Sequence, residues 1–165
     1  GALYKGFTPE FARAMGTVVC SKADIIDPNI TEAAFMLGAE YKEDGTYDEG
    51  YVRDLLQGLV ALGPKKAVLT GVSLEPGVYG LDGQTGEYFS YFNELVDARF
   101  HGTGDVFSST TVGALLNGFS LDKALAVAAD YTVACIKETI SHPDHNWYGV
   151  DFEAEIPYLL KLIGK

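Results

Sequence analysis

Gly102-Thr103-Gly104-Asp105, running on into Val106-Phe107-Ser108-Ser109-Thr110-Thr111, is the stretch of this 165-residue chain best suited to chemistry. It reads as a glycine-bracketed turn that feeds straight into a helix. Two glycines let the backbone turn tightly and bring amide N–H groups close to a ligand. The first helical turn adds N–H donors that lack intrahelical acceptors, together with the positive end of the helix dipole, and so suits phosphate. Asp105 sits at this mouth. Its carboxylate can cap the helix, or it can take a proton from an attacking hydroxyl while the amides hold phosphoryl charge. The tetrapeptide by itself leaves both readings open.

Two earlier stretches have residue types that could join such chemistry. Asn29-Ile30-Thr31-Glu32 places Asn at an N-cap and Glu at N3, a capping-box pattern before the apolar run Ala33 to Leu37. Capping alone would account for both polar residues. A strand end feeding a helix N-terminus is also where open α/β sheets bind ligands, and the Glu32 carboxylate there could reach a hydrated magnesium ion. Thr70-Gly71 falls at the end of the apolar run Lys66 to Val72. It is either an ordinary strand end or part of the same ligand edge. His142-Pro143-Asp144-His145 offers metal-ligand types, but the proline spoils a helical His pair and no third ligand is evident nearby.

The elements that must position these residues follow from periodicity and punctuation. Thr8-Pro9-Glu10 starts a helix expected to reach Ser21. Ala23 to Asp27 reads as a short buried strand stopped by Pro28, and Gly38 should end the helix after Asn29. Glu40 to Tyr47 is a polar loop. Val52, Leu55, Leu56, Leu59 and Val60 form the stripe of an amphipathic helix over 48–62. Lys66 to Val72 is the next buried strand. Gly77 to Leu81 and Glu87 to Phe92 flank a glycine-rich turn and predict a β-hairpin, with a further short strand over Leu95 to Phe100. The helix after Asp105 is small-sided and ends at Asn117-Gly118. Ser120 caps the next helix, which runs to about Thr139, and Asp151 to Ile163 closes the chain as a helix with Pro157 in its first turns or bending it.

Composition bounds the class. With 47% hydrophobic and 21% charged residues the chain is globular. Its net charge of −11 argues against a nucleic-acid surface but leaves room for a local phosphate pocket. No apolar run is long enough for a membrane span. Gly1 to Gly6 has no basic stretch leading into an apolar one, so no secretory signal is expected. Cys20 and Cys135 lie far apart inside apolar segments, as buried free thiols of a cytoplasmic protein would. The length suits one domain.

With these pieces placed, the chain resembles the ribokinase-like superfamily and, within it, the pyridoxal kinase family. The resemblance covers essentially the whole chain and rests on three matches in order. Asp27-Pro28-Asn29-Ile30-Thr31-Glu32-Ala33 looks like the family's strand-end Pro-Asn-x-x-Glu-Ala, Thr70-Gly71 stands at its strand-end Thr-Ser or Thr-Gly, and Gly102-Thr103-Gly104-Asp105 looks like its anion hole. The resemblance implies a three-layer α/β/α, Rossmann-like fold with a mostly parallel sheet and a β-hairpin. It also implies ATP-dependent phosphorylation of the hydroxymethyl group of a B6 vitamer. Asp105 would then be the base, and the amides of Gly102, Thr103 and Gly104 would stabilise the transferring phosphoryl group. Asn29 and Glu32 would help hold phosphates and hydrated Mg2+. Thr70 and Gly71 would contact the nucleotide, and Val96 and Phe100 would line its pocket.

Against that pattern the chain lacks an N-terminal portion, including the segments that grip the vitamer. Residues 1–165 would be a single ATP-binding, catalytic portion. Missing strands would leave an exposed sheet edge, so self-association or a missing N-terminal half is expected. Hydroxymethylpyrimidine kinases typically carry Cys after Gly-Thr-Gly, so Asp105 favours the pyridoxal side. Sugar kinases of the superfamily more often show Gly-Ala-Gly-Asp. A non-catalytic nucleotide-binding or assembly module is the alternative of a different class. A dinucleotide-binding domain is a poor fit, because no Gly-x-Gly-x-x-Gly follows a strand.

Overall fold

Thr8 opens the first helix in the computed structural model of the chain, which describes residues 8–75, 77–98, 100–145 and 148–165. The opening segment 1–7 and Trp147, just beyond His142-Pro143-Asp144-His145, lie outside the described residues. The chain divides into two compact units, Gly1–Phe92 and Asn93–Lys165.

In the first unit, helix α1 covers Pro9–Ala14, and Thr8 Oγ1 accepts from Phe11 N at 3.2 Å. The expected continuation to Ser21 is helical but changes type, to a π turn at Met15–Val19 and a 3-10 turn at Cys20–Lys22. Gly16 and the β-branched run Thr17-Val18-Val19 hold an α-helix poorly. The Thr17 and Ser21 hydroxyls also donate back to the Arg13 and Thr17 carbonyls at 3.0 and 2.7 Å.

Strand β1 is only Ile25–Ile26, shorter than expected. Lys65 N and Lys66 N share the Asp24 carbonyl, and Pro28 has no N–H to continue the ladder. The alignment resumes beyond it as a parallel bridge between Asn29 and Thr70. Helix α2, Ile30–Leu37, starts with the predicted capping box and ends at Gly38 in the left-handed region. Helix α3, Glu49–Ala61, is capped by Asp48 Oδ1 accepting from Tyr51 N at 3.0 Å. Its stripe Val52, Leu55, Leu56 and Leu59 is buried against Ile26, Ala67 and Leu69.

Strands β2 (Lys66–Val72), β3 (Gly77–Asp82) and β4 (Glu87–Phe92) follow the expected positions closely. The sheet order is β1-β2-β3-β4. Only β1–β2 is parallel; β2–β3 and β3–β4 are antiparallel. The α/β class holds, but within this chain the sheet is open and mixed rather than mostly parallel. The reason is that the hairpin pairs directly with β2 and so extends the same sheet.

In the second unit, residues 93–98 form no strand, contrary to the expectation over Leu95 to Phe100. Ala98 N instead donates to Val96 O at 2.8 Å, which closes a tight turn. Helix α4 spans Thr103–Leu116 and α5 spans Leu121–Ser141. Ser120 stands at the N-cap of α5 as expected, but its side chain makes no capping hydrogen bond. It bonds the Asp122 carboxyl instead, and this is the main cause holding that carboxyl below its usual range. Helix α6 is Ile156–Leu162, not 151–163, because Pro157 is tolerated only in a first turn. One small cluster of the unit's core gathers Tyr131, Cys135 and Val150, with Phe100, Val106 and Leu159 packed against them.

Candidate active site

Each unit assembles one group of the expected site residues. In the first unit the capping box is complete. Asn29 N donates to Glu32 Oε2 at 3.0 Å, and Glu32 N donates to Asn29 Oδ1 at 2.9 Å. Both side chains are half-buried. Thr70 N donates to the Pro28 carbonyl at 3.1 Å, which fixes the end of β2 beside the start of α2. Gly71 follows with φ of 65°, a conformation that favours glycine, at the irregularity in the β2–β3 register between Leu69 and Val72. Asn29, Glu32, Thr70 and Gly71 therefore share one sheet edge, although they come from two motifs far apart in sequence.

A supporting residue here escaped the sequence reading. Tyr47, assigned to a polar loop, is 6% exposed. Its hydroxyl oxygen accepts from Ser73 N at 2.8 Å, just beyond Gly71, and Gly45 N donates to Ser73 Oγ at 3.3 Å. An aromatic residue at the end of a polar stretch was the only sequence mark of that anchor.

In the second unit Gly102 is itself the N-cap of α4, with φ of 83° and no side-chain capping bond. This corrects the capping reading of Asp105. Asp105 lies inside the first turn, three residues after the cap, with an exposed side chain. A Cβ at Gly102 or Gly104 would meet nothing within 4 Å, so the space above the turn is open. The first-turn N–H groups have no acceptor within the helix. Thr103 Oγ1 donates to the Phe100 carbonyl at 3.4 Å, tying the turn to the segment before it. Phe100 and Val96 are half-buried, and Phe100 stands edge-on to His145 at 5.5 Å. A largely apolar cavity of about 480 Å3 runs along α4 from Asp105 past Thr110 and Gly113 towards Phe152 and Ile163.

The geometry can bind an anion at the α4 turn with a carboxylate beside it. As for a metal, no cluster of three or more His, Cys, Asp or Glu forms among the described residues. His142 faces Glu138 at 3.3 Å and Asp151 at 3.9 Å. The capping box uses Glu32 Oε2, and the remaining carboxylate oxygen suits a magnesium ion that keeps most of its water. No described helix is long and apolar enough to cross a membrane. Cys20 and Cys135 are free thiols.

The mixed sheet with its helices defines an α/β fold, and the family match makes it ribokinase-like. A family profile described as phosphomethylpyrimidine kinase matches residues 5–148. The chain belongs to that family. A Bacillus subtilis (strain 168) pyridoxine kinase is 31% identical over 79% of this chain and 48% of its own length. A hydroxymethylpyrimidine/phosphomethylpyrimidine kinase of Aquifex aeolicus (strain VF5) is 31% identical over 70% of this chain and 44% of its own. The crystal structure of pyridoxal kinase from Lactobacillus plantarum superposes with a TM-score of 0.82 at 30% identity, covering 98% of this chain and 58% of that one. An ADP complex of Bacillus subtilis pyridoxal kinase gives a TM-score of 0.67 at 26% identity, with coverage of 86% and 52%. The chain spans about half the length of the relatives it matches.

Proposed function

We propose that this chain is the nucleotide-binding, phosphoryl-transferring portion of an ATP-dependent kinase that acts on the hydroxymethyl group of a B6 vitamer. The α4 turn carries the proposal. Gly102 caps the helix with backbone alone, and Asp105 lies exposed in the first turn with no capping role. In this reading Asp105 accepts the proton of the attacking hydroxyl. The N–H groups of Gly102, Thr103 and Gly104 hold the charge on the transferring phosphoryl group. Asn29 and Glu32 hold phosphates and hydrated Mg2+, which neutralises phosphate charge when bound. Thr70 and Gly71 contact the nucleotide, and Val96 and Phe100 line its base. The relatives' kinase names and the ADP complex of one of them support nucleotide use.

The phosphomethylpyrimidine profile and the Aquifex relative favour a second substrate, a hydroxymethylpyrimidine. Asp105, where that type typically carries Cys, weighs towards the vitamer. The half of the relatives that this chain does not span would supply the grip on the substrate, either as a further polypeptide or through a second copy.

The test is phosphorylation of pyridoxal, and separately of hydroxymethylpyrimidine, by the chain with Mg-ATP, beside Asp105→Asn. Loss of a general base should lower turnover by about 10²–10⁴-fold. An unchanged rate in Asp105→Asn would remove the residue from the mechanism. Tight Mg-ATP binding with no transfer to either substrate would favour the non-catalytic module.

A further inference from the structure

The segment between β4 and the α4 turn is latched to α5 at two points. Asn93 Nδ2 donates to Asp130 Oδ1 at 2.7 Å. Lys137 Nζ donates to Glu94 Oε2 at 2.5 Å. Asp130 and Lys137 stand two helical turns apart on one face of α5, roughly 10 Å along its axis. Asn93 uses both ends of its amide, because its Oδ1 also accepts from Glu94 N at 2.6 Å. Just past the latches, Ala98 N closes its turn on the Val96 carbonyl. Phe100 then packs against the cluster of Tyr131, Cys135 and Val150, the first two on α5, and Thr103 Oγ1 returns to the Phe100 carbonyl. One helix therefore grips the chain on both sides of Val96.

We infer that Asn93 and Glu94, seated on Asp130 and Lys137, are positioning residues that hold Val96 and Phe100 ready for the base of a purine nucleotide. The inference rests on the nucleotide reading of the site given above. The physical argument is preorganisation. A segment ordered before binding spares the ligand the cost of ordering it, and that saving appears as affinity. Residues 93–98 make no ladder bonds of their own, and Leu95 is 75% exposed. Their order therefore depends on the latches. The Asn93–Asp130 bond is part-buried and charge-assisted, so it is the stronger of the two. The Lys137–Glu94 pair is exposed and secondary.

The experiment combines amide hydrogen exchange over 93–98 with calorimetric titration of Mg-ATP on the full chain. Asn93→Asp sets carboxylate against carboxylate. The double variant Asn93→Asp/Asp130→Asn exchanges donor and acceptor and should restore the bond. Asn93→Asp should speed exchange and weaken Mg-ATP by about tenfold, and the swap should recover both. Lys137→Met should move both readouts the same way by less, and it carries the test if Asn93→Asp does not fold. Exchange unchanged in Asn93→Asp and Lys137→Met overturns the inference. So does exchange that rises while Mg-ATP affinity stays at the wild-type value. A wild-type chain that binds no Mg-ATP brings down the reading of the site, and the inference with it.

Discussion

Asn29 and Thr70 face each other across a parallel bridge, although Pro28 interrupts the ladder between their strands. The bridge brings a helix N-terminus with its box carboxylate beside the end of a strand. Capping and ligand binding are then not rival explanations of Glu32, because one oxygen serves the box and the other is left to face solvent or a hydrated ion. Glu32→Gln separates the two roles. Glutamine completes a capping box as well as glutamate does, so melting should move by no more than about 2–4 °C. Mg-ATP binding should weaken. If both stay at wild-type values, Glu32 is a cap and nothing more.

Gly102→Ala probes the anion turn without adding a clash. Nothing lies within 4 Å of the added Cβ, but φ of 83° strains any L side chain. The variant should lose about 1 kcal/mol of stability in denaturant titration. Phosphate or Mg-ATP affinity should fall with it as the turn relaxes.

The Lys66–Asp82 pair ties the start of β2 to the end of β3, where the hairpin turn begins. Burial pushes the Asp82 carboxyl up, but the Lys66 ammonium and the N–H groups of Gln84 and Thr85 prevail and hold it below its usual range. Its contribution is present above the ordinary carboxylate range and is lost as pH falls through the lowered value. Asp82→Ala strands a partly buried ammonium and two turn N–H groups. It should cost about 2–4 kcal/mol at neutral pH, measured by urea unfolding. A loss below about 0.5 kcal/mol would place the pair among ordinary surface contacts.

Alkaline pH should loosen the second unit. Burial pushes the Cys135 thiol up to about 11, and burial, with Cys135 beside it, raises the Tyr131 phenol well above its usual value. An unfolded thiol ionises near pH 9, so this stability is complete below about pH 9 and drains away as pH rises through 11. Melting temperature should drop by several degrees across that window. Cys135→Ala should flatten the slope; an identical slope in that variant would refute the assignment.

Self-association remains a proposal that sedimentation velocity can decide. β1 stands at one end of the sheet order with no further strand beside it among the described residues, and an open sheet edge invites another chain. A dimer, or assembly with a polypeptide that supplies the rest of the relatives' length, is the expected result. A strictly monomeric, cooperatively folded chain would rule it out.

Most elements were legible in the residues because local rules bind tightly there. Asn29 and Glu32 close a box within one turn, and the stripe Val52 to Leu59 needs one buried face. The hairpin needs its glycine-rich turn, and the left-handed backbone at 102 is one that glycine takes without strain. What local rules could not decide was anything that depends on a distant partner. The mixed sheet arises because β3 chose β2 as its neighbour. No strand forms over 93–98, where Asn93 and Glu94 instead bond Asp130 and Lys137 of α5. Tyr47 is a loop residue as expected, but its burial and its bond to Ser73 depend on a strand end far along the chain. Periodicity and caps act over a few residues, so sequence determines them. Pairing, latching and burial are set by which surfaces meet, and only the folded chain decides that.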